Sequence, residues 1–137
     1  TPFDGAEYDY YTTTKGILEK VKTHAGDVDF EVQPELLSLF SNRDFGRYAG
    51  EKGEMNVCFI SNNDITGGNS GSAMFNARGE LLGLAFDGNW EAMSSDILYE
   101  PKMQRCIGVD VRYILFMIEK YGKAGDLIRE LKIVSGK

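Results

Sequence analysis

Apolar positions recur at helical spacing near the start of the chain. Ile17, Leu18 and Val21 share one face over residues 15–23, and Gly26 closes the turn behind them. Pro34 suits the first position of a second helix, which carries Leu36, Leu37, Leu39 and Phe40. Ahead of both, residues 1–14 are aromatic and Thr-rich, and their alternation predicts an extended segment laid on a larger body. Residues 43–54, charged and carrying glycines, read as a loop. From Asn56 the period shortens. Residues 56–60 form a β-type run, Ser61 to Ser72 a polar Gly-rich loop, and Ala73-Met74-Phe75 a short strand. Asn76-Ala77-Arg78-Gly79 is a turn signal, followed by a strand over residues 80–86. The last third is helical again. Asp110 caps a helix with Val111, Ile114, Leu115 and Ile118 on one face and Phe116 and Met117 on a second, ended by Gly122. Ala124, Leu127, Ile128 and Leu131 repeat the spacing in a further helix, and both stripes read as core.

The pattern predicts an α+β fold in one unit. Residues 1–55 form an extended and helical lead-in, 56–109 β hairpins around the Gly-rich loop, and 110–134 the C-terminal helices. A length of 137 residues suits a single domain with a core of its own. At 42% hydrophobic and 26% charged residues the chain reads as globular. A net charge of −6 argues against nucleic acid, whose phosphates need clustered cations. No apolar run is long enough for a membrane span, and Thr1-Pro2-Phe3-Asp4 does not open a signal peptide. Cys58 and Cys106 lie among apolar neighbours and read as buried free thiols. With one histidine and no Cys-x-x-Cys pair, neither a metal nor a cofactor is expected.

Chemistry concentrates in Thr66-Gly67-Gly68-Asn69-Ser70-Gly71-Ser72. A hydroxyl becomes a nucleophile when it is exposed, aimed and deprotonated by a base. Flanking glycines allow a tight turn that presents Ser70 and gathers the backbone N–H groups of Gly68 and Ser70 where an oxyanion would form. An ordinary Gly/Ser loop has the same composition. The following strand, in place of a helix, sets this one apart from the α/β-hydrolase elbow and makes it similar to the nucleophile loop of chymotrypsin-like serine peptidases. The single histidine, His24, sits among Lys, Gly and Asp just beyond a helix, which marks a solvated loop and not a base. On spacing alone Asp87 reads as a turn residue before Gly88. Trp90 reads as a partly buried packing residue, and Ile65 to Gly68 as a wall of a primary pocket.

Four stretches carry a resemblance to one family. They are Asp44-Phe45-Gly46-Arg47-Tyr48, the loop Thr66–Ser72, Ala85-Phe86-Asp87-Gly88-Asn89-Trp90-Glu91, and Val109-Asp110-Val111-Arg112-Tyr113. In order and spacing they resemble the C-terminal region of the S46 dipeptidyl-peptidases, and Glu80-Leu81-Leu82-Gly83-Leu84 fits that family's strand. Ala73 departs from it, where the family usually has proline. The resemblance implies the nucleophile-bearing half of a chymotrypsin-like double barrel with flanking helices, in a bacterial enzyme that is periplasmic, surface-bound or secreted. It implies that Ser70 is the nucleophile, with Gly68 supplying an oxyanion N–H. It implies that Asp87 holds the free α-amino group of a peptide, and that Gly88 marks a subtype preferring hydrophobic residues where Arg would mark an acidic one. The His and Asp partners would lie in the N-terminal half of the same enzyme. Peptide substrates, that N-terminal half and a second copy of the chain are then the expected partners, and the chain alone is expected to be inactive. Two rival readings stand beside this one, a trypsin-like endopeptidase domain and a non-catalytic interaction module.

Overall fold

The computed structural model describes residues 5, 7–50, 52–94 and 100–134, so residues 1–4 and 6 of the expected extended segment lie outside the described residues. The chain runs β1 (Tyr11–Thr13), α1 (Thr14–Thr23), α2 (Pro34–Ser41), β2 (Asn56–Ser61), β3 (Ala73–Phe75), β4 (Leu81–Gly88), β5 (Cys106–Asp110), α3 (Val111–Phe116) and α4 (Gly125–Arg129). Pro34 opens α2 as expected, where its missing N–H costs nothing. Asp110 caps α3, its carboxylate accepting from the N–H of Arg112 at 2.9 Å and from the guanidinium at 2.9 and 2.6 Å. α3 does not continue as a plain α-helix. Residues Met117–Tyr121 widen into a π-helical turn, with the Gly122 N–H donating to Met117 O.

All strands pair antiparallel, in the order β1-β2-β5-β4-β3. The class is α+β, as the pattern predicts. The described strands form one sheet with β1 and β3 at its ends, and the barrel reading goes beyond them. Pairing also extends β4 through Asp87 and Gly88, residues expected to lie in a turn. The pairing is irregular just ahead of them. Ala85 faces Gly108 and Asp87 faces Ile107, so Phe86 is an extra residue, a β-bulge.

The core lies between the helices and the segment expected to be plain loop. Phe40, Phe45, Tyr48, Met55 and Phe116 are buried together. The ring of Phe116 lies 6.0 Å from that of Phe40 and 6.1 Å, edge-on, from that of Phe45. A polar contact closes the same corner, where Tyr48 donates to Glu119, Arg47 pairs with Glu119 at 3.2 Å and Lys120 with Asp44 at 2.9 Å. Tyr48, and then Arg47, hold the Glu119 carboxylate below its usual range. This contact is therefore intact at neutral pH and weakens as acid protonates Glu119. Phe116→Ala should cost about 3–5 kcal/mol, read as a shifted midpoint in urea denaturation.

Two core expectations fail. Leu127 and Leu131 are about half exposed, and only Ile128 of that stripe is buried. The reason is length, since α4 has five residues and cannot turn four stripe positions onto the body. Cys106 is buried as expected, whereas Cys58 is half-buried, and both are free thiols. Burial pushes both thiols up, away from the reactive thiolate. Among the described residues no helix is long and apolar enough to cross a membrane.

Candidate active site

The Gly-rich loop is built from two successive turns. The Asn69 N–H donates to Thr66 O at 3.2 Å, and the Ser72 N–H to Asn69 O at 2.9 Å. Asn69 ties the first turn from the other side, its side chain accepting from the Thr66 N–H at 2.7 Å. Both turns need left-handed backbone, with φ of 94° at Gly68 and 87° at Gly71, which glycine adopts without cost. The loop is then laced to β4. The Gly71 N–H donates to Ala85 O at 2.7 Å and the Ala85 N–H to Ser72 O at 2.9 Å. Ser70, exposed, places its Oγ 3.4 Å from Phe86 O, the carbonyl of the bulge. Among the described residues neither the Gly68 nor the Ser70 N–H has a protein acceptor, so both are available to a ligand.

Loop and strand enclose an open hollow of about 280 Å³, lined by residues 65–70, 85–89, Ala92 and Met93. The site residues singled out in the sequence thus meet here. Ser70, Gly68, Asp87 and Gly88 all border one space, and so do Ile65 to Gly68, the expected wall. Asp87 and Gly88 border it at the end of β4, where they pair in succession with Ile107 and Cys106 just beyond the bulge at Phe86. Asp87 is exposed, and one carboxylate oxygen accepts from the Gly88 N–H at 2.8 Å, with no hydrogen-bond donor at the other among the described residues.

Trp90 corrects the sequence reading. It is 81% exposed and does not pack against the described residues as expected. It opens a short 3-10 turn, Trp90–Ser94, whose Ala92 and Met93 reach the hollow. Sequence reasoning missed these two, although the Asn-Trp-Glu run announces a turn after the strand. His24 lies elsewhere, at the end of α1. It stacks on Phe30 at 4.1 Å, and its Nδ1 lies 2.9 Å from Thr23 Oγ1 and 3.2 Å from Lys20 O. It lines a different hollow. Among the described residues no group of three His, Cys, Asp or Glu side chains gathers as a metal site would require.

These parts define a class of site. A presented hydroxyl, two unengaged N–H donors and a carboxylate across the same hollow are what acyl transfer with an anchored substrate uses, with the base still to be supplied. The Peptidase S46 family matches residues 1–133, and the chain belongs to it. Dipeptidyl-peptidase 7 of Porphyromonas endodontalis is 58% identical over 98% of this chain and 16% of its own length. The Asp/Glu-specific dipeptidyl-peptidase of Capnocytophaga gingivalis is 46% identical, over 98% of this chain and 18% of its own length. The crystal structure of Porphyromonas endodontalis DPP11 in complex with the dipeptide Arg-Asp superposes with a TM-score of 0.90 at 42% identity, covering 96% of this chain and 19% of that one. The chain thus spans 16–19% of these relatives' length.

Proposed function

We propose that this chain is the nucleophile-bearing, C-terminal part of a serine dipeptidyl-peptidase with a chymotrypsin-like double barrel, and that the full-length enzyme removes dipeptides from peptide N-termini. The observation that carries this reading is the meeting of Ser70 and Asp87 across one hollow, with the loop laced to the bulged strand. In it Ser70 attacks the peptide carbonyl, and the N–H groups of Gly68 and Ser70 receive the oxyanion. Asp87 pairs with the free ammonium of the substrate, which distinguishes a chain end from a chain middle. An endopeptidase has no use for that carboxylate.

The proposal includes a preference for hydrophobic residues at the cleavage position. Relatives named as Asp/Glu-specific tell against extending one preference across the family. For this chain the lining of the hollow supports the apolar reading. None of its described residues is Lys, Arg or His, so an acidic side chain entering it would find no partner. Phe75, Phe86, Trp90 and Met93 are each at least 46% exposed, and the rest of the same polypeptide would cover such apolar side chains.

The test is labelling and turnover together. A fluorophosphonate probe on the full-length enzyme should attach to Ser70, and the enzyme should cleave dipeptide reporters with a free N-terminus in preference to blocked ones. The 137 residues alone should turn over neither, because their one histidine, His24, lines another hollow. Label on Ser72, or robust turnover by the isolated chain, would assign the chemistry to other groups.

A further inference from the structure

The hollow beside Ser70 has a wall that the glycine at position 88 does not set alone. A Cβ built on Gly88 would lie 2.9 Å from the Cβ of Ala92, with Arg105 O at 3.7 Å and Ile65 Cδ1 at 3.9 Å. Real carbon pairs do not approach as closely as the first of these, so any side chain at position 88 meets the Ala92 methyl at once. The position is therefore not open in all directions, as the absence of a side chain suggests. One face of Gly88 is already covered by Ala92.

Whether Ala92 can give way depends on what holds its turn. The Ala92 N–H donates to Asn89 O at 2.9 Å. Asn89 is in turn fixed to the approach of β5. Its N–H donates to Arg105 O at 2.9 Å, its Oδ1 accepts from the Arg105 N–H at 2.8 Å, and its Nδ2 donates to Met103 O at 2.8 Å. The Arg105 guanidinium fastens that approach further, donating to Pro101 O at 2.9 Å, Gln104 O at 2.6 Å and Lys102 O at 3.1 Å. A methyl on a backbone clamped at this many points cannot retreat as a flexible side-chain tip would.

We propose that Ala92 is a second specificity-determining residue, which with Gly88 sets the room for the substrate side chain at the cleavage position. The proposal rests on the peptidase reading of the hollow and deepens it. Positions 88 and 92 behave as a pair with a fixed total volume. Enlarging residue 92 fills the pocket, and a side chain at 88 fits only when residue 92 is reduced to glycine. This revises the expectation that Gly88→Arg alone redirects preference toward acidic residues, since the arginine stem would start inside the Ala92 methyl.

The test uses the full-length enzyme and free-amino dipeptide reporters with Phe or Ala at the cleavage position. Ala92→Leu should lower kcat/KM for the Phe reporter about 10- to 100-fold more than for the Ala reporter, the range for a few methylenes in an apolar pocket. Ala92→Val should do the same to a smaller degree, so a Leu variant that fails to fold leaves the question decidable. Gly88→Ala should lower kcat/KM at least about tenfold for both reporters, and adding Ala92→Gly should restore most of that loss, a non-additivity expected only of residues in contact. Equal losses on both reporters with Ala92→Val and Ala92→Leu, or a Gly88→Ala defect that Ala92→Gly does not relieve, would overturn the pairing while leaving the peptidase reading intact. Absence of turnover on any free-amino reporter by the unaltered enzyme would instead overturn the peptidase reading, and the pairing with it.

Discussion

Ser70→Ala in the full-length enzyme is expected to lower kcat by about 10⁶-fold, the loss that follows removal of a serine nucleophile from an intact triad. The structure supports a loss of chemistry without a loss of fold. The Ser70 side chain is exposed, and its one described contact is a long one, 3.4 Å to Phe86 O. The loop's shape is held by other groups, namely the Asn69 side chain, the two turn hydrogen bonds and the backbone ties of Gly71 and Ser72 to Ala85. An alanine at position 70 should leave all of these in place. The thermal midpoint should therefore stay within about a degree or two of the unaltered enzyme, and KM should change little. Substantial residual turnover in a correctly folded variant would move the nucleophile elsewhere, with Ser72 the first to examine.

Asp87→Ala should separate substrates by their N-termini. For a peptide with a free amino group the expected loss is about 2–5 kcal/mol in transition-state stabilisation, the range for breaking a charge pair closed off from water. That is about 30- to 5,000-fold in kcat/KM. For the acetylated counterpart the loss should be small, because no ammonium is present to be abandoned. Asp87 lies at the surface of this chain, so the upper part of the range requires that the rest of the enzyme close over the bound N-terminus. A structural role predicts something different. The carboxylate accepts from the Gly88 N–H, and loss of that bond would disturb free and acetylated substrates alike. Asp87→Asn keeps an acceptor for that N–H and removes the charge, so it should reproduce the selective loss. Equal loss on both peptides would make Asp87 a turn anchor and remove the physical ground for an exopeptidase.

Much of this was legible in the sequence because the signals are local. Pro34 marks the start of α2, Asp110 the cap of α3, and Asn76 to Gly79 the β3-β4 turn. The Gly-rich loop was legible for the same reason, as its glycines and asparagine act within the loop. What escaped notice depends on pairing at a distance. β5 is the central strand, yet its inward positions are Cys106, Gly108 and Asp110, small or polar residues that give no hydrophobic alternation. Phe45, Tyr48 and Met55 supply much of the core from a charged stretch without period, because single large side chains are swung inward by turns. The extension of β4 through Asp87 and Gly88, and the nearness of Ala92 to Gly88, follow from the partner strand and from the clamp at Asn89. No local pattern encodes either of them.

The end of β4 has a consequence for how such a site changes over generations. Two consecutive positions there, Asp87 and Gly88, border the same space. One stretch of backbone supports both, while the room at the second is bounded by Ala92. A substitution at the second position can alter which peptides are accepted without displacing the carboxylate at the first, provided the neighbouring turn adjusts. On the proposed reading, diet can then drift while the requirement for a chain end is inherited unchanged, through the exchange of very few codons.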